Sequence, residues 1–207
     1  MSTPAELNDY ILQAIRDYVQ AGFYQPDEVN QMVDDILEPG ADEVMLRAAI
    51  PAEFARQAAE ETTWPAVTDC DRLDEVFRQL NAQSILSLQN AGYTTSDGHS
   101  DIAQALHDHH APKSWRGWCF YHGQDMAQAV HGGGLWLAFG ALGAGTGPAD
   151  DAAIGQEVKA ELERQGFAVD WDGSPARKLS VPAFVWQRRQ GGIEHGLSGW
   201  WSQLPLE

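Results

Sequence analysis

Cysteine is scarce in this chain, and so is positive charge. Only Cys70 and Cys119 occur in 207 residues. Two isolated thiols build neither the disulfide framework of a small secreted domain nor a four-cysteine zinc site. Lysine and arginine number 13 against 30 aspartates and glutamates, a formal charge of −17. So acidic a surface repels phosphate backbones and anionic lipid, which excludes nucleic acid and membrane as expected partners. Long apolar runs are missing too, and no stretch approaches the roughly 20 residues of a membrane span. The opening Met1-Ser2-Thr3-Pro4-Ala5-Glu6 lacks the basic start and apolar run of a secretory signal. The cytoplasm is the expected location.

What is present suffices for a packed core. Hydrophobic residues make up 43% and aromatics 10%, with eight tryptophans, and an ordinary share of charged residues argues against wholesale disorder. The expected architecture is α+β: an acidic helical N-terminal unit followed by a mixed β-sheet packed with helices. The expected boundaries are an acidic helical unit over 1–65, an α/β domain over 66–190, and a Gly/Trp-containing tail over 191–207.

The helical unit is read from its caps and periodicity. Thr3-Pro4-Ala5-Glu6 forms a capping box with proline at the first helical position. Leu7, Tyr10, Ile11, Ala14, Tyr18 and Val19 follow at helical spacing up to Gly22. Pro26 opens a second helix, with Val29, Met32, Val33, Ile36 and Leu37 on one face. A third covers Asp42 to Thr62, with a break or restart expected at Pro51. Thirteen carboxylates lie between Glu6 and Glu61, opposed by Arg16, Arg47 and Arg56.

Beyond Trp64-Pro65 the pattern changes. A helix carries Leu73, Val76, Phe77 and Leu80, and Ser84–Leu88 reads as a strand or the end of that helix. Asp97-Gly98 reads as a turn, with Ser100 capping a short helix through Leu106. Trp118–Tyr121 has strand character, Asp125–Val130 is a short helix and Leu135–Gly140 is the clearest strand. A helix carrying Ile154, Val158 and Leu162 ends at Gly166. Strands are expected over 167–171 and 181–186. Gly132-Gly133-Gly134 lacks the lysine of a P-loop and the spacing of a dinucleotide fingerprint, so it reads as a helix end.

The densest polar group is Tyr121-His122-Gly123-Gln124-Asp125, where a strand gives way to a helix. Such strand ends form crevices with helix amides pointing outward. Two readings stay open. His122 serves as acid or base with Asp125 orienting it, or Asp125 caps the helix while His122 and Gln124 satisfy local backbone. Arg116 and Arg188 are the candidate anion contacts of a ligand crevice formed by Tyr121, His122, Gln124 and Asp125. Cys119 stands three positions from His122 on a strand, which sends the two side chains to opposite faces. A buried core thiol is the expectation for it. His107, Asp108, His109 and His110 are too crowded for a helical metal site, because only His107 and His110 have a suitable spacing. They read as an exposed helix end beside the negative pole of the dipole. No catalytic constellation, no metal and no cofactor is expected.

Several segments together carry a resemblance. Asn90-Ala91-Gly92-Tyr93-Thr94, Arg116-Gly117-Trp118-Cys119-Phe120-Tyr121-His122-Gly123-Gln124-Asp125, Gly132–Gly140, Trp171-Asp172-Gly173 and Trp186-Gln187-Arg188-Arg189 resemble an uncharacterised bacterial family of unknown function. The likeness spans about Leu73 to Arg189. Some members of that family carry closely spaced cysteines where this chain has Gln89, Asn90, Tyr93 and Thr94, so a metal role does not carry over.

The leading functional expectation is a non-enzymatic, acidic protein-binding module. Its sharper form is an immunity or inhibitor protein for a basic toxin or nuclease, since complementary charge gives rate and specificity. Asp27, Glu28, Asp34 and Asp35 are then the docking face, and Trp200 and Trp201 the tail anchor. The alternative is a small-molecule-binding protein or enzyme using the Tyr121–Asp125 crevice.

Overall fold

The computed structural model describes residues 3–108 and 115–191, with seven helices and four strands among them. In chain order these are α1 (Pro4–Ala21), α2 (Pro26–Ile36), α3 (Glu43–Glu61), α4 (Asp69–Ala82), β1 (Ile85–Leu88), α5 (Thr95–Asp108), β2 (Gly117–Phe120), α6 (Gly123–Val130), β3 (Leu135–Ala141), α7 (Pro148–Arg164) and β4 (Leu179–Val181). The architecture is α+β. Two compact units divide it between Thr68 and Asp69.

The first unit is a three-helix bundle. Glu6 N–H donates to Thr3 Oγ1 and Thr3 N–H to Glu6 Oε2 at 2.8 Å, which completes the capping box. Gly22 ends α1 in the left-handed region at φ 78°, where a side chain is strained. Ile11, Ile15, Val29, Val33, Leu46 and Ile50 form the fully buried core. α3 is not broken at Pro51. Proline removes one helical N–H and crowds the preceding turn, but Leu46, Ile50 and Gln57 are buried along α3, and their packing holds it continuous.

Residues 187–191 belong to this bundle rather than to the α/β unit. Arg188 is buried with its guanidinium 4.7 Å from the centre of the Phe23 ring, and Gln57 Nε2 donates to its carbonyl. Gln190 Nε2 donates to Val19 O at 2.7 Å and Gln190 N–H to Glu61 Oε1 at 3.0 Å. A helix end leaves carbonyls without intrahelical partners. At the end of α1 the Val19 carbonyl takes the Gly22 N–H at 3.1 Å, and Gln190 adds a second donor to it.

The second unit is built on one sheet in the order β1-β2-β3-β4. β1 and β2 are parallel, whereas β2–β3 and β3–β4 are antiparallel. Alternation along the strands sorts the side chains. Ser87, Cys119, Phe139, Leu137 and Leu179 share the face packed by α4 and α7. Gly155 of α7 permits this, because a Cβ there would lie 2.6 Å from the Phe139 ring. Leu86, Leu88, Phe120 and Ala138 share the opposite face and cluster with Ile102 and Ala105 of α5.

Three local expectations need correction. Thr95–Asp108 is one helix, so Asp97-Gly98 is not a turn and Ser100 is not its cap. Thr94 N–H donates to Asp97 Oδ2 at 2.9 Å and Asp97 N–H to Thr94 Oγ1, an unrecognised capping box. Gly98 is a packing residue: a Cβ there would meet the Phe120 ring at 2.4 Å. Residues 167–171 form no strand and contribute only an isolated bridge between Asp170 and Ser180. The last strand is Leu179–Val181, and Pro182 follows it without a ladder donor.

Gly22→Ala tests the bundle's closure. Its Cβ would meet Arg188 Cγ and Arg188 O at 2.7 Å, on top of a left-handed conformation costing about 1–2 kcal/mol for a non-glycine residue. Thermal unfolding should show a loss of at least about 1 kcal/mol. A variant as stable as the parent would show that residues 187–191 do not hold α1.

Candidate functional site

The polar cluster forms where α6 leaves β2. His122 precedes α6 as its N-cap, and His122 Nδ1 accepts Asp125 N–H at 3.2 Å. In return Asp125 Oδ2 accepts His122 N–H at 3.3 Å. An accepting Nδ1 carries no hydrogen, so the neutral ring must hold its hydrogen on Nε2. Thr95 Oγ1 lies 3.0 Å from that nitrogen and Asp125 Oδ2 lies 3.2 Å from it. Thr95 comes from the first turn of α5, so both helix starts meet at this imidazole.

Lys178 completes the cluster from the residue before β4. Its ammonium donates to Asp125 Oδ1 at 2.9 Å and Oδ2 at 2.7 Å; it also lies 2.8 Å from His122 Nε2, where a ring hydrogen leaves it no acceptor, so its bonds in the cluster are those to Asp125. His122 and Asp125 are buried, whereas the Lys178 side chain is 24% exposed. Burial presses His122 below the ordinary histidine value; the Asp125 charge opposes this and the Lys178 charge assists it. His99 of α5 stacks edge-on against Trp118 at 4.7 Å and Phe120 at 5.3 Å. Burial, then the Lys178 charge, lowers its proton affinity too.

The amides of α6 are already occupied. Gly123 N–H donates to Gly92 O and Gln124 N–H to Tyr93 O. Together with the His122–Asp125 box, this leaves none of the first four N–H groups for an incoming anion. The chemistry of the cluster is therefore inward-facing: a cap, an ion pair and a shared contact at Nε2.

The residues expected at one crevice are dispersed. Tyr121 is fully buried against Phe77 of α4, and its hydroxyl donates to Gln89 Oε1 at 3.0 Å. Gln89 Nε2 donates in turn to Asp74. Tyr121 thus continues the Cys119 face, while His122 turns into the α6 cap. Gln124 is exposed. Arg116 lies at the other end of β2, gripping Glu157 of α7 with both terminal nitrogens and donating from Nε to Gln83 O at 2.9 Å. Arg188 belongs to the helical bundle. Cys119 is buried, and burial raises its thiol well above the ordinary range, which makes it a poor nucleophile.

Asp27, Asp34 and Asp35 are exposed on α2, whereas Glu28 is half-buried and accepts Gln25 N–H at 2.7 Å. Trp200, Trp201, His109 and His110 lie outside the described residues. Among the described residues, no group of three or more His, Cys, Asp or Glu side chains is placed to hold a metal ion. The sequence reading missed Thr95, His99 and Lys178. For Lys178 the one available signal was rarity, since the chain has only Lys113, Lys159 and Lys178.

This is an α+β protein with a histidine-capped ion pair at the meeting of two helix starts. The chain belongs to the family described as Domain of unknown function (DUF6891), whose model matches residues 4–190. No curated protein and no solved structure matches it.

Two measurements follow. Lys178→Met leaves the Asp125 carboxylate buried without its cation and should cost about 3 kcal/mol by denaturant titration, the low end for a buried pair because Lys178 is partly exposed. The double variant with Asp125→Asn should lose less than the two single variants summed, and simple additivity would show no coupling. Protein purified without a histidine tag should carry no stoichiometric transition metal by elemental analysis; near-equimolar zinc would refute this.

Proposed function

We propose that the protein is a non-enzymatic binding module whose acidic helical unit docks a basic protein. The observation that carries this reading is the outward side of α2. Asp27, Asp34 and Asp35 are exposed, at offsets of 7 and 8 residues that fall on one helical stripe, and Glu38, just beyond the helix, is exposed too. Asp34 is paired with Arg47. The carboxylates of Asp27, Asp35 and Glu38 have no bonding partner among the described residues.

Most other carboxylates of the bundle have local duties. Glu6 and Glu28 accept backbone amides at helix starts, and so does Asp42. Glu43, Glu53 and Glu60 pair with arginines. Asp27, Asp35 and Glu38 are thus a charge excess that the fold does not consume. The inward-facing His122 cluster and the buried Cys119 also favour binding over catalysis. In the sharper form of this reading, the partner is a basic toxin or nuclease and the stripe occupies its anionic-substrate surface, as an immunity or inhibitor protein would.

A second reading places a small ligand at Lys178, because that side chain is where the polar cluster reaches solvent. Affinity capture from the native cell, followed by surface plasmon resonance, separates the two. Docking on α2 predicts that the on-rate falls steeply between ~50 and ~200 mM salt, since screening acts over about 8 Å at physiological ionic strength. The triple variant Asp27→Asn, Asp34→Asn, Asp35→Asn should lower the on-rate more than it raises the off-rate. Glu28 is left intact to preserve the α2 cap. An on-rate indifferent to salt and to the triple variant would overturn the α2 reading, and loss of binding in Lys178→Met alone would favour the second.

A further inference from the structure

We infer that His122 is a proton-operated latch: it caps α6 only while its imidazole is neutral, so acidification loosens the first turn of α6 and adds charge repulsion against Lys178, on the segment leading into β4. The geometry gives two independent reasons. Asp125 N–H donates to Nδ1, and a doubly protonated ring has no acceptor left. Protonation would therefore set an N–H against an N–H at the cap. The same event puts a full positive charge on a ring whose Nε2 already lies 2.8 Å from the Lys178 ammonium.

The displaced amide has no ready alternative. Asp125 Oδ2 is taken by His122 N–H and Lys178, and both His122 and Asp125 are buried. A buried N–H without an acceptor is costly. Serine, threonine, aspartate or asparagine at this position would cap α6 across the physiological range. Histidine alone makes the cap depend on pH near neutrality.

The surrounding charges set the direction. From α6, Asp125 favours the protonated ring, and from α5 Asp97 does so more weakly; burial and Lys178 oppose them and prevail. His99 and Asp101 are the other titratable groups of α5 beside this region. His99 feels Lys178, and the proton affinity of Asp101 is raised by its burial. The folded chain thus binds the His122 proton less readily than the unfolded chain, whose histidines titrate near about 6.5. The stabilisation from this cap is complete above that value and is lost as pH falls through the lower folded value.

Long-range proton–nitrogen NMR of the His122 ring, with hydrogen exchange at the Asp125 amide, tests this on the full chain. At pH 7.5 the ring should carry its hydrogen on Nε2. Between pH 7.5 and 5 the ring should become doubly protonated while Asp125 protection, corrected for intrinsic exchange, falls about tenfold, as loss of an N-cap implies. His122→Asn keeps an acceptor that does not titrate, so its protection should be flat over the same range. His99→Phe should retain the transition. A hydrogen on Nδ1 at pH 7.5 would overturn the proposal in the parent protein alone. So would pH-independent protection of Asp125, or an equal loss in His122→Asn.

Discussion

The pairing of β1 with β2 continues past the ends of both strands. Ala91 N–H donates to Tyr121 O, Gly123 N–H to Gly92 O and Gln124 N–H to Tyr93 O, all between 2.9 and 3.1 Å. Three backbone bonds therefore tie the β1–α5 loop to the start of α6. The loop can follow this path because Asn90 and Gly92 adopt positive φ, at 50° and 57°, a region that asparagine and glycine visit at least cost. At Gly92 a Cβ would also lie 2.3 Å from Asp97 Cβ. Through this zipper Thr95 reaches His122, and the N-terminal ends of α5 and α6 share one polar cluster.

The same constraint decides what the cluster can do. Two helix N-termini at the carboxyl ends of parallel strands would ordinarily attract an anionic ligand. Here the zipper consumes the amides of Gly123 and Gln124, and the capping box consumes those of His122 and Asp125. Asp125 supplies the negative charge that the helix dipole favours, and Lys178 neutralises that carboxylate from the β4 side. The polarity of the sheet edge is thus turned into tertiary bonding between α5, α6 and β4.

The local parts of this arrangement could be read in the sequence, and the remote parts could not. The α+β class follows from the change of hydrophobic period after Trp64, and the Thr3–Glu6 box from its spacing. His122 and Asp125 stand three apart at a strand–helix junction, so a cap was legible; that the imidazole itself accepts the amide was not. The alternation that separates Cys119 from His122 also assigns Tyr121 to the Cys119 face, an inference open to the sequence but not drawn from it. The Asp97-Gly98 pair gave a false turn signal because glycine there answers a tertiary demand, the close approach of α5 to Phe120. Lys178 lies 53 residues from Asp125, and no periodicity links them. Arg188 stands in the segment Trp186–Arg189 that carries the resemblance, yet one step past Trp186 the chain joins the helical bundle.

The acidity of the bundle shows the same division between local use and surplus. A carboxylate that caps a helix or meets an arginine lowers the energy of the folded chain through a short bond. Asp27 and Asp35 make no such bond, and their mutual repulsion works against folding, though weakly. Eight residues of helix separate them by about 12 Å, beyond the roughly 8 Å over which exposed charges act at physiological salt. The repulsion between Asp27 and Asp35 is therefore cheap to the fold, and Asp34, which stands beside Asp35, is offset by Arg47. Bringing the same carboxylates closer together would raise the cost to α2 faster than the attraction to a partner.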